Sequence, residues 1–225
     1  GVGSWFQAAP EKPRRFSMPR LLVCVWVWLV VATPAWAADE AAAEIAYKAA
    51  LKAKEDLSFD RAEREFGAFL AKFPESPRSP EVVLLQAECR FKLQKYEDVV
   101  ELLTRRMATA GPFADQYRYL VAEAHFLGNN FGAAATVYGD LLREFPNSPL
   151  RLRASFGEAF ARSKMNDFKR TEELLKNPSG AFQQEARKDT NDVDVIRGFL
   201  LLGDAYYEQK NYEAAETTMN QLASR

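Results

Sequence analysis

An aromatic residue returns at nearly constant spacing along most of the chain. The five copies are Phe59, Tyr96, Phe131, Phe168 and Tyr212. Successive copies lie 37, 35, 37 and 44 residues apart. A period of this size is typical of chains built from stacked copies of one small supersecondary unit, each packed against its neighbours. The spacing therefore predicts a repeat protein of five units.

Three further positions keep a fixed offset from this aromatic residue. Nine residues before it lies a small residue, at Ala50, Ala87, Ala122, Ala159 and Gly203. Three residues after it lie Ala62, Val99, Ala134, Thr171 and Ala215. Seven residues after it lies a bulky residue, at Phe66, Leu103, Tyr138, Leu175 and Met219. Offsets of three and seven place side chains on one stripe of a helix, so each unit is expected to contain a helix that begins near the aromatic residue.

Close packing explains the small residues. Two antiparallel helices joined by a short turn can approach closely only where the facing side chains are small. The aromatic and bulky residues then fill the space beside that contact, and each hairpin has an incomplete core that the next hairpin completes. A helical bundle rich in alanine could show such columns by chance, but period, residue class and turn position agree, which favours a true repeat.

The last unit indicates the kind of repeat. Its residues resemble the tetratricopeptide pattern W-x2-L-G-x2-Y...A-x3-F, with Phe in place of the Trp and Met in place of the final Phe. The matching residues are Phe199, Leu202, Gly203, Tyr206, Ala215 and Met219. The resemblance implies an all-α fold over residues 38–225, an α-solenoid of about five antiparallel helix hairpins. The expected units are residues 39–77, 79–110, 112–147, 149–180 and 192–225.

Proline and glycine mark the ends of helices. The sequence Phe-Pro-x-Ser-Pro closes the first and third units at residues 73–77 and 145–149, because proline cannot continue a helix. After the first of these, we expect Ser79 to cap the next helix, with Pro80 as its first residue and Glu81 in its first turn.

The third and fourth units differ in how clearly they are marked. Residues 128–130, Gly-Asn-Asn, are predicted to form the turn inside the third unit. The fourth unit is the weakest copy, because it has Thr171 at a position where three other units have Ala and breaks early at residues 177–180. Residues 181–192 are expected to be a polar insert that contains a short helix.

The N-terminal residues have the features of an export signal. Residues 1–17 lack an apolar period and are expected to be an upstream extension without ordered structure. Residues 18–37 combine a short positive segment, an apolar run and a small-x-small cleavage site, so we expect a signal peptide that is cleaved before Ala38. The alternative is an uncleaved membrane anchor at residues 21–37, which is shorter than the about 20 apolar residues that a spanning helix needs.

Charge and cysteine content narrow the class of protein. The chain of 225 residues has a formal net charge of −1, so no strongly basic surface is expected and nucleic acid is not an expected partner. Cys89 is the only cysteine after residue 37, so the exported chain cannot form an internal disulfide. Cys89 lies among apolar residues of a predicted helix and is expected to be a buried thiol.

No catalytic, cofactor-binding or metal-binding motif occurs in the sequence, including the G-x-S-x-G, H-E-x-x-H, C-x-x-C and P-loop patterns. The single histidine, His125, falls at a repeat position where other units carry Arg90 or Tyr206. That position favours packing over catalysis. The sequence therefore predicts a protein that is not an enzyme and needs no cofactor.

The resemblance also implies a partner-binding groove, because the first helix of each unit lines the concave side of a tetratricopeptide array. Side chains three before and four after the small residue are expected to point into it, together with Phe160. The candidate partner-binding residues are Tyr47, Leu84, Phe91, Tyr119, Phe126, Phe156, Phe160, Leu200 and Tyr207. This aromatic strip alternates with Glu88, Glu123 and Asp204 and suits a peptide with apolar anchors and some basic residues. The alternative is that several of these side chains only pack between neighbouring first helices.

The paired terminators, the repeat columns and the export signal together resemble periplasmic tetratricopeptide proteins of the bacterial envelope, of the barrel-assembly lipoprotein and Tol-Pal accessory types. The resemblance does not extend to a lipid anchor, because no cysteine stands at the cleavage point. It implies a non-catalytic scaffold that binds another envelope protein, with the membrane involved only indirectly or through an uncleaved N-terminal segment. The alternative is the repeat portion of a longer envelope enzyme or secretion component whose active domain lies beyond residue 225.

Overall fold

The computed structural model describes the backbone of residues 35–224 and the side chains of residues 39–224. All regular structure in this range is helical, and none of these helices combines the length and the apolar character needed to cross a membrane. The predicted extension at residues 1–17 and nearly all of the predicted signal peptide lie outside the described residues. The helices are α1 (Ala35–Glu55), α2 (Phe59–Lys72), α3 (Ser79–Lys92), α4 (Tyr96–Arg106), α5 (Ala114–Leu127), α6 (Phe131–Glu144), α7 (Arg151–Lys164), α8 (Phe168–Lys176), α9 (Ala181–Ala186), α10 (Val193–Glu208) and α11 (Tyr212–Ala223), with 3-10 turns at Met107–Thr109 and Gly111–Phe113.

Ten of the described helices form five hairpins, which lie in the second of the two units into which the chain divides, Glu40–Arg225, apart from the first residues of α1. The hairpins are α1–α2, α3–α4, α5–α6, α7–α8 and α10–α11. The second helix of one hairpin packs against the first helix of the next, as α2 does on α3, α4 on α5, α6 on α7 and α8 on α10. Helix α9 stands between the fourth and fifth hairpins. This arrangement confirms the predicted all-α solenoid of tetratricopeptide-like hairpins.

The predicted columns lie where the packing argument requires them. The four alanines of the small column are completely buried, and a Cβ added to the fifth member, Gly203, would collide with the side chain of Met219. Met219 is the bulky residue of the same unit, so the two columns are in direct contact in the last hairpin. Each aromatic residue of the repeating column is the first residue of the second helix of its hairpin.

The turn inside each hairpin repeats a backbone conformation that residue types do not reveal. Two residues before the aromatic, the chain takes a positive φ between 58° and 62°, at Leu57, Gln94, Asn129, Asn166 and Lys210. In the first turn, Leu57 N–H donates to the Lys54 carbonyl at 3.0 Å and Ser58 N–H donates to the Ala53 carbonyl at 2.9 Å. All five turns repeat these two bonds, which form a Schellman motif and satisfy the carbonyls at the end of the first helix.

The turns between hairpins use the serine of each Phe-Pro-x-Ser-Pro segment. The hydroxyl of Ser76 accepts the N–H of Arg78 at 3.3 Å, and the hydroxyl of Ser148 accepts the N–H of Leu150 at 3.1 Å. These bonds form equivalent serine turns in the two segments, as expected where a proline ends a helix.

The expected N-cap at Ser79 was wrong. Ser79 is the first residue of α3, and its Oγ donates to the carbonyls of Phe73 and Pro74 at 3.2 and 3.1 Å. The physical reason is that the carbonyls of Phe73 and Pro74, in the turn that follows α2, lie within reach of the hydroxyl, so its one proton is directed to that turn and the side chain does not cap α3. Glu81 lies in the first turn of α3 as predicted.

The insert after the fourth hairpin contains the expected short helix, α9, but it is only partly polar. Phe182 of α9 is 1% exposed and lies so close to Gly198 of α10 that a Cβ there would collide with its ring. The absence of a side chain at Gly198 thus admits a core residue from the insert. Thr171 in the same region is fully buried, and its hydroxyl donates to the carbonyls of Ala159 and Asp167 at 3.3 and 3.0 Å. Those bonds explain how a threonine is tolerated in the core.

Candidate functional site

Eight of the nine predicted groove residues, all except Phe160, occupy two positions of the first helices, three before and four after the small residue, which we name the connector positions. In the structure, each connector position contacts the first helix of the next hairpin. The connector three before the small residue meets the residue six before the next small residue, and the connector four after it meets the residue one after the next small residue. Tyr47 Oη donates to Glu81 Oε1 at 2.7 Å, and Lys54 Nζ lies 2.5 Å from Glu88 Oε2. The rings of Phe126 and Phe160 stack at a centroid distance of 5.1 Å. Packing between neighbouring first helices therefore accounts for several of the predicted residues.

The junction between the first and second hairpins is closed by polar contacts. The guanidinium of Arg78 lies 4.4 Å from the ring centroid of Tyr47, whose side chain is only 7% exposed. Burial and the hydrogen bond to Glu81 raise the pKa of Tyr47 to about 12, so the phenol stays protonated and donates. Leu84 is 6% exposed. Tyr47 and Leu84 thus lie in the core and offer little surface to a partner.

The junction between the third and fourth hairpins is aromatic and more open. Phe160 stacks between Phe126 and Phe156, at centroid distances of 5.1 and 5.6 Å. All three rings are half-buried, as is Tyr119, which lies about two turns before Phe126 in α5. The guanidinium of Arg153 lies 5.4 Å from the Tyr119 ring. These contacts hold the rings in place while leaving part of each accessible to solvent.

A pocket of about 210 Å³ opens at this aromatic junction, among α5, α6, α7 and α10. Four of the nine predicted groove residues are brought together in it, which no other described pocket does. Its lining residues are Tyr119, Glu123, Phe126, Leu127, Tyr138, Arg153, Phe156, Gly157, Phe160, Asp194 and Arg197. We call it the aromatic pocket.

Charges at the rim of the aromatic pocket balance. Asp194 lies 3.3 Å from Arg197 and 3.8 Å from Arg153, and the Arg197 guanidinium lies 5.8 Å from the Phe156 ring. Glu123 accepts a hydrogen bond from the Tyr138 hydroxyl. Two carboxylates and two guanidinium groups thus surround an apolar floor. Such a site offers apolar contact with polar groups that orient a bound chain.

Burial raises the pKa of Tyr119 and of Tyr138 far above the ordinary value for tyrosine, and the nearby Glu123 carboxylate adds to both shifts. Both phenols therefore stay protonated over the whole physiological range. They can donate hydrogen bonds, but they cannot act as bases there.

Among the charged residues of the pocket, Arg153, Asp194 and Arg197 were not predicted. Arg153 and Arg197 lie six residues before the small residue of their units, the position that meets a connector of the preceding unit. Alignment of the units shows which residues are equivalent, but it does not show which residues of neighbouring units touch. Pairing each connector with the residue about one repeat later would have identified Arg153 and Arg197. Asp194 lies at the start of α10, beyond the conserved offsets of the repeat.

The remaining predicted groove residues lie outside the aromatic pocket. Phe91 is half-buried and packs edge-on against Tyr96 of its own unit at 5.5 Å. Leu200 and Tyr207 belong to the last hairpin and are 42% and 62% exposed. The structure therefore does not join all nine residues into one surface.

The single histidine and the single cysteine of the described residues, His125 and Cys89, both lie away from the aromatic pocket and are at least half-buried. His125 is half-buried, and burial lowers its pKa, which favours the neutral ring at physiological pH. Cys89 is completely buried, as predicted, and burial raises its pKa to about 11, so the thiolate is not accessible. No group of three or more metal-ligating side chains occurs within the described part of the chain.

Family models for the tetratricopeptide repeat match residues 99–149 and 198–225. The first range covers most of α4 and the whole third hairpin, and the second range covers most of the fifth hairpin. The chain therefore carries tetratricopeptide repeats. A search of curated protein sequences gave no significant match.

Solved structures of repeat proteins share the fold at low sequence identity. A crystal structure of MamA protein matches with a TM-score of 0.65 at 15% identity, over 81% of this chain and 90% of that one. MamA from Desulfovibrio magneticus RS-1 matches with a TM-score of 0.65 at 13% identity, over 81% and 93%. A tetratricopeptide repeat protein from Parabacteroides merdae matches with a TM-score of 0.65 at 15% identity, over 81% of this chain and 66% of that one. At these identities the likeness concerns the fold alone.

Proposed function

We propose that this protein is a non-catalytic scaffold that binds a partner protein through the groove of its first helices, with the aromatic pocket as the anchoring site. Tetratricopeptide repeats generally mediate protein–protein interaction, and such proteins are typically not catalysts. The single observation that carries the proposal is the pocket itself, where four predicted groove residues meet around about 210 Å³. Its balanced rim favours a peptide segment that inserts one large apolar side chain and bonds to the charged rim through its backbone.

We further propose that the scaffold works in the bacterial cell envelope, in the periplasm, after cleavage of the N-terminal signal. The support is the signal-like sequence of residues 18–37 and the resemblance to envelope repeat proteins. All four tryptophans, Trp5, Trp26, Trp28 and Trp36, lie before the expected cleavage point. Material purified from the periplasm should show tyrosine fluorescence without a tryptophan signal. Its measured mass should be that of a chain whose first residue is Ala38. A tryptophan signal would contradict cleavage.

The pocket is best tested with an exposed charge that can change without unfolding the protein. Arg197 lines the pocket, its side chain is 61% exposed, and it pairs with Asp194 three residues before it. Lys48 of α1 is a matched control, because its side chain is 71% exposed and pairs with Glu44 four residues before it. We expect Arg197→Glu to lose the partner captured from envelope extract and Lys48→Glu to retain it.

The double variant Tyr119→Ala, Phe126→Ala removes the apolar wall and should also abolish capture, while far-UV circular dichroism stays helical. Capture that survives both Arg197→Glu and the double variant would place binding outside the aromatic pocket.

A further inference from the structure

A second pocket lies where the insert packs against the third and fourth hairpins. It has a volume of about 580 Å³ and opens among α6, α7, α8 and α9. Its lining includes Ser155 and Glu158 of α7, Leu174 of α8 and Phe182 of α9, and it shares no residue with the aromatic pocket. We call it the insert pocket. Volumes of this size are typical of ligand-binding clefts.

The carboxylate of Glu158 lies in the insert pocket without a partner. Glu158 is 9% exposed, and it forms neither a hydrogen bond nor an ion pair with another described residue. Burial of a carboxylate without a partner lowers stability, and burial accordingly raises the pKa of Glu158. The packing of the repeat does not require this charge, because the equivalent residues of the other hairpins are uncharged. They are Ala49, Gln86, Val121 and Leu202.

The arginines near Glu158 are paired with other carboxylates. These pairs are Arg143 with Asp140 at 2.6 Å, Arg162 with Asp167 at 3.9 Å and Arg170 with Glu173 at 3.0 Å. The three arginines oppose the rise in the pKa of Glu158 without cancelling it. Lys176, which also lines the pocket, pairs with Glu172 at 3.3 Å. An ionised Glu158 therefore leaves the pocket lining with one negative charge that no lining cation neutralises.

The acceptors in the insert pocket indicate which cation fits. Ser155 lies three residues before Glu158, on the same face of α7. The Ser155 hydroxyl donates to the Leu152 carbonyl at 2.8 Å, so the lone pairs of its oxygen are free to accept. Leu174 and Phe182 add apolar wall. An ammonium group has three donors on a compact centre and matches these few acceptors better than a guanidinium group with five donors.

We propose that the insert pocket binds an alkylammonium group, with the Glu158 carboxylate as its ion-pair partner and the Ser155 hydroxyl as a further acceptor. A lysine side chain of a partner protein and a free alkylamine both carry this group. The bound cation offsets the unfavourable burial of the carboxylate, which accounts for a charge at a position where the other hairpins have none. This site goes beyond the proposed function, and it does not depend on the partner bound at the aromatic pocket.

Titration of the full chain with butylamine, which is an ammonium ion at neutral pH, tests the site. Two-dimensional NMR of isotope-labelled protein at constant ionic strength would follow the backbone amides of Asn177, Gly180 and Ala181, which line the pocket. We expect saturable shifts with a dissociation constant on the order of 1 to 10 mM. Butanol has the same carbon chain without the charge and should bind at least about tenfold more weakly.

Glu158→Gln removes the charge and keeps the shape of the side chain. The variant should fold, because Gln86 occupies the equivalent position of the second hairpin, and it should bind butylamine about tenfold more weakly or less tightly still. Glu101→Gln is the matched control, because it removes the same charge from a side chain that is 66% exposed and pairs with Arg105 outside the pocket. The control should bind butylamine as the wild type does. Ser155→Ala should weaken binding by about twofold to threefold.

Two capped tripeptides, Gly-Lys-Gly and Gly-norleucine-Gly, distinguish the two sources of the ammonium group. A lysine peptide that binds at least as tightly as butylamine, while the norleucine peptide does not bind, would assign the site to a lysine side chain of a partner. Binding of butylamine with at least about tenfold weaker binding of the lysine peptide would assign it to a free amine.

Three results would overturn the proposal. One is the absence of saturable shifts at butylamine concentrations up to about tenfold above the expected dissociation constant. Another is equal binding of butylamine by the wild type and Glu158→Gln. The third is equal affinity for butylamine and butanol, which would show that Glu158 is a protonated core residue and that the pocket selects only for an apolar chain.

Discussion

The junction between the first and second hairpins and the junction between the third and fourth use the same positions for different chemistry. At the first, Tyr47 and Lys54 bond to carboxylates, and the contact is closed. At the other, Tyr119 and Phe126 meet Arg153 and Phe160 in ring contacts, and a pocket remains. The difference teaches that the repeat register decides which residues meet, whereas the residue types decide whether the junction is sealed or able to bind.

Truncation of the connector four residues after the small residue should affect the two junctions unequally. Phe126→Ala removes the stack on Phe160 and the edge contact with Phe131, and should lower the free energy of unfolding by about 2 to 3 kcal/mol, since Phe126 is half-buried. Lys54→Ala removes one ion pair at the surface and should cost less than about 1 kcal/mol. Urea denaturation measures both, and equal losses would contradict the comparison.

Overpacking of the small column should instead affect the first and third hairpins alike. Ala122→Leu inserts three carbons at a completely buried helix contact and should destabilise the protein by about 1 to 3 kcal/mol. Ala50→Leu in the first hairpin is expected to cost a similar amount, because Ala50 is equally buried. Melting temperatures compare the two variants. An unchanged melting temperature for either variant would show that its alanine does not lie at a close contact between helices.

Glycine in the hairpin turns should stabilise the first hairpin more than the third. Leu57 has a φ of 58° and Asn129 a φ of 61°, in the left-handed region that costs a branched side chain more than asparagine. Leu57→Gly should therefore raise the free energy of unfolding by about 1 kcal/mol, and Asn129→Gly by about half of that or less. Chemical denaturation measures the gain, and a loss in Leu57→Gly would show that its exposed side chain makes a stabilising contact.

A buried polar residue one position before the small residue sharpens the comparison further. Gln86 of the second hairpin donates to the Glu63 carbonyl at 3.4 Å, whereas Glu158 of the fourth hairpin has no hydrogen bond to another described residue. Burial raises the pKa of Glu158, although nearby arginines oppose the shift. The charged form of Glu158 is therefore disfavoured in the folded state. The protein should lose stability as the pH rises through the folded-state pKa of Glu158, and it should regain that stability as the pH falls towards the unfolded-state pKa near 4.5.

Glu158→Gln should accordingly raise the melting temperature at pH 7 by about 1 to 2 °C. The gain should vanish near pH 4, where the wild-type carboxyl is protonated in both states. Gln86→Glu is the reciprocal variant and should introduce the same pH dependence at the first junction. A Glu158→Gln effect that persists unchanged at pH 4 would show that protonation is not its cause.

Prediction from sequence succeeded where packing restricts the residue type. The close contact between the two helices of a hairpin admits only Ala or Gly, so the small column could be predicted from the sequence. The start of each second helix could be predicted as well, because the aromatic residue recurs at a fixed offset from that column. The prediction of a polar insert did not identify Phe182 as a core residue. A single apolar residue in a polar segment gives no such signal, and Phe182 is buried here because Gly198 has no side chain in its place. The candidate site was predicted in part, since four of the nine predicted groove residues share the aromatic pocket and two others, Tyr47 and Leu84, lie in the core.

The sequence by itself determined the repeat, its period, the all-helical class and the side chains that fill each hairpin, because those features recur as residue types at fixed offsets. Only the tertiary structure decided which connector meets which neighbour, which junction keeps a pocket and where the turns adopt positive φ. Contacts across the junctions join residues about one repeat apart, and a left-handed turn depends on backbone geometry that Leu, Gln, Asn and Lys all adopt here. Neither property can be read from a single position, because each arises from the way the neighbouring helices pack.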